Sequence, residues 1–345
     1  MNDIFIIAGP TASGKSELAM LLAQKFNGVI INADSMQIYK EIPIITASPS
    51  ISEKQQIDHY LYNYVSIFHS DINELNSFDN ISQSKVNANY NSINLQQSIT
   101  KHLTDRRYSV AKYVQEACKI IRSVIHALKL PIVVGGSGMY IKALVYGIHH
   151  IPEITWEIRM QVQDLYKKLT KQEFYQKLID LDPISKNYIH SSDAQRMIRA
   201  YEVVLQTNKS IFSYHNSKLV SPLEGYNVKK IILLPDRQLL YQNCDQRFAK
   251  LATNGELVDE ITKIKPYYDY ISISAKKALG INEIISYLNQ ELTIEEAITI
   301  AQQKIRQYAK RQLTWFRNQT INGYTLHYQS MSELYKTQVN DVFFN

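Results

Sequence analysis

A chain of 345 residues, 45% of them hydrophobic, can bury a full core in one large domain or two smaller ones. No apolar run approaches the roughly 18 residues of a membrane span, and the opening Met1-Asn2-Asp3-Ile4 lacks the basic segment of a secretory signal, so a soluble, cytoplasmic protein without membrane contact is expected. Cys118 and Cys244 are far apart, which excludes a disulfide framework or a zinc site, while the net charge of +6 suits a polyanionic partner.

The first predicted element is a strand at Ile4-Phe5-Ile6-Ile7-Ala8. The octapeptide after it, Gly9-Pro10-Thr11-Ala12-Ser13-Gly14-Lys15-Ser16, fits G-x-x-x-x-G-K-[ST], and Glu17 to Ala23 continues in strong helix formers. Strand, loop and helix in that order are what a phosphate-cradling loop requires. Loop amides and the positive helix end suit a diphosphate or triphosphate; Lys15 neutralises its oxygens and the Ser16 hydroxyl is placed to ligate Mg2+. A glycine-rich turn without a ligand is the plainer alternative, and spacing and flanking elements together argue against it.

A second strand at Val29-Ile30-Ile31-Asn32-Ala33 leads into Asp34-Ser35-Met36-Gln37-Ile38-Tyr39-Lys40. An aspartate at a strand end near such a loop can ligate Mg2+, act as a general base toward a bound acceptor, or cap the next helix. Residues 70–105 are rich in Asn, Ser and Gln without periodicity and predict a flexible surface loop. A third strand at Pro131-Ile132-Val133-Val134 precedes Gly135-Gly136-Ser137-Gly138, which adds a hydroxyl to the same sheet edge.

From about 150 to 222 the pattern is helical alone, with Trp156, Ile158, Val162, Leu165 and Leu169 spaced at three and four. Within it, Ser192 or Asp193 can cap a helix on which Arg196 and Arg199 share one face; that pair suits phosphates or splayed bases, or else a solvated face paired with local acids. A further strand at Val228 to Leu234 follows. Lys304 to Arg317 then interleaves five basic residues with Tyr308, Trp315 and Phe316 and no acid, as backbone neutralisation with base stacking demands, although the aromatics also suit core anchors. The expected fold is α/β, a P-loop NTPase-like parallel sheet flanked by helices with an all-helical insertion. Its parts are 1–148 (first part of the core), 149–224 (insertion), 225–325 (C-terminal part of the core with the basic aromatic helix) and 326–345 (tail).

These elements, in this order, resemble the tRNA dimethylallyltransferase family. The resemblance runs from Ile4 to about Arg317 and rests on GPTASGKS, DSMQIYK, ITASPS at 45–50, His59, YSVAKY at 108–113, VVGGSGMYIKAL at 134–144, Glu157-Ile158-Arg159, DAQRMIRAYEV at 193–203 and RQYAKRQLTWFR at 306–317. It implies transfer of a dimethylallyl group from dimethylallyl diphosphate to N6 of the adenosine immediately 3′ of the anticodon, in tRNAs reading codons that begin with U. It also implies Asp34 as the catalytic base, with Lys15 and Ser137 in catalytic support and Gly9 to Ser16 holding the diphosphate with Mg2+ on Ser16. The tRNA contacts it implies are Asp34, Ser35, Met36, Gln37, Ser137, Arg159, Gln195, Arg196, Met197, Ile198 and Arg199. Arg237 and Arg247 resemble a weaker family pattern. A monomer that binds a tRNA anticodon stem-loop is expected.

Three positions depart from the family. Its usual glycine and lysine in G-T-A-K-P-S are here Ile45 and Ser48, and a usual glycine is Glu41. A side chain at 45 excludes glycine-only backbone conformations, so an altered loop with lowered affinity or rate is expected. A P-loop small-molecule kinase is the rival enzyme reading, and a nonenzymatic RNA-binding assembly protein the rival of another class.

Overall fold

The computed structural model describes residues 2–68, 108–216, 218–319, 321 and 323–337. The surface loop expected at 70–105 lies outside the described residues. The chain divides into two compact units, Met1–Val145 with Pro222–Asn345, and Tyr146–Ser221; the boundaries read from the sequence were 149 and 224.

The first unit is built on a six-stranded sheet in which every pairing is parallel. In chain order it holds β1 (Asp3–Ala8), α1 (Lys15–Lys25), β2 (Gly28–Asn32), α2 (Ile51–Gln56), β3 (His59–Tyr60), α3 (Val110–His126), β4 (Leu130–Gly135) and α4 (Gly138–Tyr146, whose last residue falls in the second unit). The strand order is β3-β2-β4-β1-β5-β6, β5 and β6 being the strands Asn227–Pro235 and Tyr324–Tyr328. β1 is central: Phe5 lies opposite Ile132 of β4 and Lys229 of β5. Such strands are covered on both faces, which explains their unbroken apolar runs. The carboxyl ends of β1, β2 and β4 lie together along one edge, where the sequence turns polar and glycine-rich.

Leu18, Leu22 and Ala23 of α1 pack with Phe5, Ile7, Ile30, Ile132, Val134, Ile231 and Leu233 in one buried cluster. Each fully buried aliphatic side chain contributes on the order of 1.5–3 kcal/mol. The stretch from 326, read from the sequence as a tail, is part of this core: Leu326 and Tyr328 belong to β6, and Leu334 is fully buried. As an edge strand, β6 buries one face only, so its residues alternate instead of forming a continuous apolar run.

The second unit holds α5 (Trp156–Lys168), α6 (Lys171–Leu181) and α7 (Ala194–Thr207). Each starts on a side-chain cap: Thr155 accepts from the Ile158 amide, Thr170 forms a reciprocal capping box with Glu173, and Asp193 accepts from the Arg196 amide. Val162, Phe174, Leu178, Met197 and Ala200 make its core. The Phe174 ring sits edge-on to Tyr166 at 5.0 Å and 5.2 Å from Tyr201. Phe174→Ala is expected to destabilise this unit by about 3–5 kcal/mol, read as an earlier urea transition monitored by tyrosine fluorescence.

The first unit continues after β5 with α8 (Arg237–Thr253), α9 (Glu256–Ile264), α10 (Ile281–Leu288) and α11 (Ile294–Asn318), and after β6 with α12 (Met331–Thr337). The 25-residue α11 starts on a capping box of Thr293 and Glu296 and buries Ala297, Ala301, Ile305, Ala309, Gln312, Leu313 and Phe316 along one stripe. Among the described residues no helix is long and apolar enough to cross a membrane.

Candidate active site

The loop Gly9–Ser16 leaves the end of β1 and turns through two left-handed residues, Ala12 (φ 59°) and Gly14 (φ 77°), into α1. A Cβ on Gly9 would lie 2.9 Å from the Leu233 carbonyl oxygen, so only glycine lets the loop run this close to β5. Side chains remote in sequence brace the loop. The Tyr328 hydroxyl donates to the Ser13 carbonyl, Asn243 Nδ2 donates to the Ala12 carbonyl at 3.3 Å, and Arg247 Nη2 donates to Thr11 Oγ1 at 2.7 Å. Ser13 Oγ is buried without a hydrogen-bond partner among the described residues.

Lys15 is buried and its Nζ donates to the Pro10 carbonyl at 3.0 Å. Burial pushes its pKa down to about 8, opposed by the Asp34 carboxylate and reinforced by the Arg247 guanidinium. An arriving diphosphate favours the ammonium form, so above about pH 8 its binding must take up a proton. The expected result is an affinity flat below that pH and falling by up to about tenfold per unit above it. Titration calorimetry in buffers of different ionisation enthalpy measures the uptake, and Lys15→Met removes it.

Asp34 follows β2 and is partly buried. Its amide donates to Asn32 Oδ1 at 2.8 Å, and its own Oδ1 accepts from the Met36 amide at 2.9 Å. That is an Asx turn, not a helix cap; the next helix begins at Ile51 on Ser50. The same carboxylate opposes the burial that pushes the pKa values of Lys15 and Arg247 down, and adds to the burial that raises those of Tyr62 and Tyr308. Ser137 lies across from it: its Oγ accepts from the Ser35 amide at 2.8 Å and donates to Ser35 Oγ at 3.0 Å, tying the turn after β4 to the Asp34 segment. A Cβ on Gly135 would fall 2.1 Å from the backbone of Ala33, which explains why glycine stands where these two strand ends meet.

Gln312 of α11 closes the arrangement. Its Oε1 accepts from the Thr11 amide and its Nε2 donates to the Gly136 carbonyl, both at 2.9 Å. Three residues on, the Trp315 ring covers Gly138 so closely that a Cβ there would be 2.5 Å from it. Phe316 is buried while Trp315 is only partly so, and Trp315 lines an open groove on α11 with Gln307, Lys310, Arg311, Thr314 and Asn318.

The first unit thus gathers Gly9 to Ser16, Asp34 to Gln37 and Ser137 at one sheet edge. Ser16 is exposed in the first turn of α1. Its hydroxyl is a hard oxygen donor of the kind Mg2+ takes alongside water and phosphate oxygens. At the turn that holds Ile45, Ile45 itself has no left-handed φ, and the left-handed residue is Ala47 (φ 51°). Glu41 and Ser48 are likewise absorbed into local bonds. Glu41 accepts from the Ile67 amide and Ser66 Oγ, and Ser48 Oγ bonds Thr46 Oγ1 and accepts from Asn63 Nδ2.

The remaining expected contacts lie in the second unit. Gln195 and Arg196 are exposed; Arg196 pairs with Asp193 and Arg199 with Glu202, both at 3.4 Å. Arg159 carries a buried Nε without a partner among the described residues. Met197, expected to touch tRNA, is fully buried in that unit's core, and Ile198 packs against it. The 3.6-residue period explains the burial: 197 and 200 face inward while 195, 196 and 199 do not. Gln312, Asn243 and Tyr328 were missed by sequence reasoning, and Arg247, set low there, proves to touch the loop. Arg237 instead is exposed and bonds Tyr241.

A phosphate loop, a carboxylate two strands away and a basic aromatic helix over the same edge define a P-loop group-transfer enzyme. The sequence matches the family models "IPP transferase" over residues 96–319 and "Isopentenyl transferase" over 2–82. It is 98% identical over the full length of both chains to the tRNA dimethylallyltransferase of Orientia tsutsugamushi (strain Ikeda). It is 42% identical to that of Rickettsia massiliae (strain Mtu5), over 97% of this chain and 82% of the relative. A crystallographic structure of a eukaryotic dimethylallyltransferase acting on tRNA shares the fold, with a TM-score of 0.73 and 24% identity over 99% of this chain and 77% of that one. The chain belongs to the tRNA dimethylallyltransferase family. These relatives support prenyl transfer and not the small-molecule kinase reading.

Proposed function

We propose that the chain transfers a dimethylallyl group from dimethylallyl diphosphate to N6 of the adenosine immediately 3′ of the anticodon in tRNAs reading codons that begin with U. The observation that carries this reading is the Asp34 carboxylate at the strand end beside the buried Lys15, within the field of both Lys15 and Arg247. An exocyclic adenine amine is a poor nucleophile, so the reaction needs a proton acceptor and stabilisation of the leaving diphosphate. N6 forms a bond to C1 of the prenyl group as the C1–O bond breaks, Asp34 accepts the N6 proton, and diphosphate leaves into the loop amides, Lys15 and the Thr11 face.

Ser137, through Ser35, would hold the Asp34 segment in register. Ser16 would hold Mg2+, which when bound would neutralise diphosphate charge. Because a stacked base cannot reach a partly buried carboxylate, the adenosine is flipped out. The reading also takes the enzyme to act as a monomer in the cytoplasm. Incubation with labelled dimethylallyl diphosphate, labelled ATP and unmodified tRNA tests it: label from the prenyl donor should enter RNA, and phosphate label entering a small molecule would overturn it.

Gln195, Arg196 and Arg199 present donors on one face of α7 suited to anticodon-loop phosphates and bases. Exposed pairs such as Arg196–Asp193 are worth no more than about 1 kcal/mol and can be exchanged for RNA. Arg196→Ala with Arg199→Ala is expected to raise KM for tRNA and to lower the salt slope of binding by about one to two units. Binding isotherms at several salt concentrations measure this; an unchanged slope removes α7 from the recognition surface.

A further inference from the structure

We propose that Glu260 is a positioning residue for RNA recognition: its carboxylate fixes the 43–47 turn, whose carbonyls in turn orient the side chain of Gln37. The inference rests on the function proposed above, in which Gln37 touches tRNA.

Glu260 stands on α9 and is 6% exposed. Its Oε2 accepts from the Ile44 amide at 2.7 Å and its Oε1 from the Ile45 amide at 2.9 Å. Burial pushes its pKa up to about 7, against the pull of the two amides and of Lys263. A carboxylate held at that desolvation cost, with one oxygen on each of two successive amides, is matched to this turn. Without it two backbone donors would be left buried and unpaired.

The turn it fixes is tight. The Ala47 amide donates to the Ile44 carbonyl and the Ser48 amide to the Pro43 carbonyl, each at 2.9 Å, and Thr46 Oγ1 donates to the Ile42 carbonyl at 2.8 Å. Its outer carbonyls, Thr46 and Ala47, accept from Gln37 Nε2 at 3.1 and 2.7 Å. Both amide protons of Gln37 are therefore committed to the turn, which leaves Oε1, without a hydrogen-bond partner among the described residues, as the functional end. A glutamine locked in this way reads a donor, such as an exocyclic amino group on a base edge, and rejects an acceptor. Ile45 fits the same account. Its amide is held by Glu260, and its side chain sits beside Gly280, where a Cβ would lie 3.2 Å from Ile45 Cδ1. The turn is stabilised by a remote carboxylate and does not need glycine.

Glu260→Gln keeps the shape but sets an amide NH2 against one of the two backbone donors. Gln37→Glu removes the donor to the turn without touching the buried carboxylate. Each variant is expected to raise KM for unmodified tRNA roughly tenfold, with kcat and the dissociation constant for dimethylallyl diphosphate within about twofold. The double variant should be no worse than the worse single one, because both act through one contact chain. An unchanged KM in either variant, multiplicative effects in the double, or a loss confined to kcat or to prenyl-diphosphate binding would overturn the inference. If Glu260→Gln fails to fold, as read from its melting curve, Glu260→Asp, which keeps the charge but shortens the reach to the two amides, decides by the same KM criterion. The wild-type enzyme in the same assay separates the two levels: no prenyl transfer at all overturns the proposed function, whereas normal transfer with an unchanged KM in the Glu260 variant overturns only the role of Glu260.

Discussion

Asp34→Asn is expected to lower the single-turnover rate by roughly 100-fold or more, the scale of a lost general base, while tRNA affinity stays within a few-fold. The substitution is nearly isosteric, and an asparagine Oδ1 can still accept from the Met36 amide, so the turn after β2 survives. What it removes is the group that takes the N6 proton. It also strips Lys15 and Arg247 of the anion that favours their charged forms, which weakens the diphosphate site further. Rapid-quench measurement with enzyme in excess over tRNA separates the chemical step from binding. An unchanged rate would reduce Asp34 to a residue that shapes the turn.

Lys15→Ala is expected to lower kcat/KM for dimethylallyl diphosphate by roughly 10²–10³-fold, the cost of removing one preorganised donor to a developing anion. Affinity for tRNA should be spared, and equal loss of both would indicate misfolding. The same variant should not melt earlier than the wild type. The folded protein holds Lys15 at a pKa of about 8, chiefly through desolvation, so folding is penalised by burying this cation. Below pH 8 that penalty is fully present, and it fades as pH rises from there toward the unfolded value. A melting temperature at pH 7 equal to or above that of the wild type, with activity lost, is the signature of a residue kept for function at the expense of stability.

What was legible in the sequence was local. The runs at Ile4, Val29, Pro131 and Val228 announce β1, β2, β4 and β5 because central parallel strands are apolar on both faces. The octapeptide announces its loop because the glycines and lysine are neighbours in the chain. β3 has two residues and β6 alternates with one face buried, so neither gives such a run, and part of β6 was read as tail. The braces of the site escaped for another reason: Asn243, Gln312 and Tyr328 reach the loop from more than two hundred residues away. A single sequence carries no signal for such a meeting. Arg196 and Met197 were read alike, as adjacent members of one motif, although helix geometry sends one into solvent and the other into a core.

The central place of β1 has a consequence for the newborn chain. Its partners, Leu130–Gly135 and Asn227–Pro235, emerge from the ribosome long after it. At about 5–20 residues per second, the first strand waits on the order of 5–25 s for one neighbour and 10–45 s for both. Throughout that interval an unbroken apolar ribbon, Ile4 to Ala8, has both hydrogen-bonding edges open to any other extended chain. A strand that is buried in the finished enzyme is thus an open edge for much of its synthesis, and the phosphate loop that β1 carries lacks one of its braces, Tyr328, until β6 has emerged.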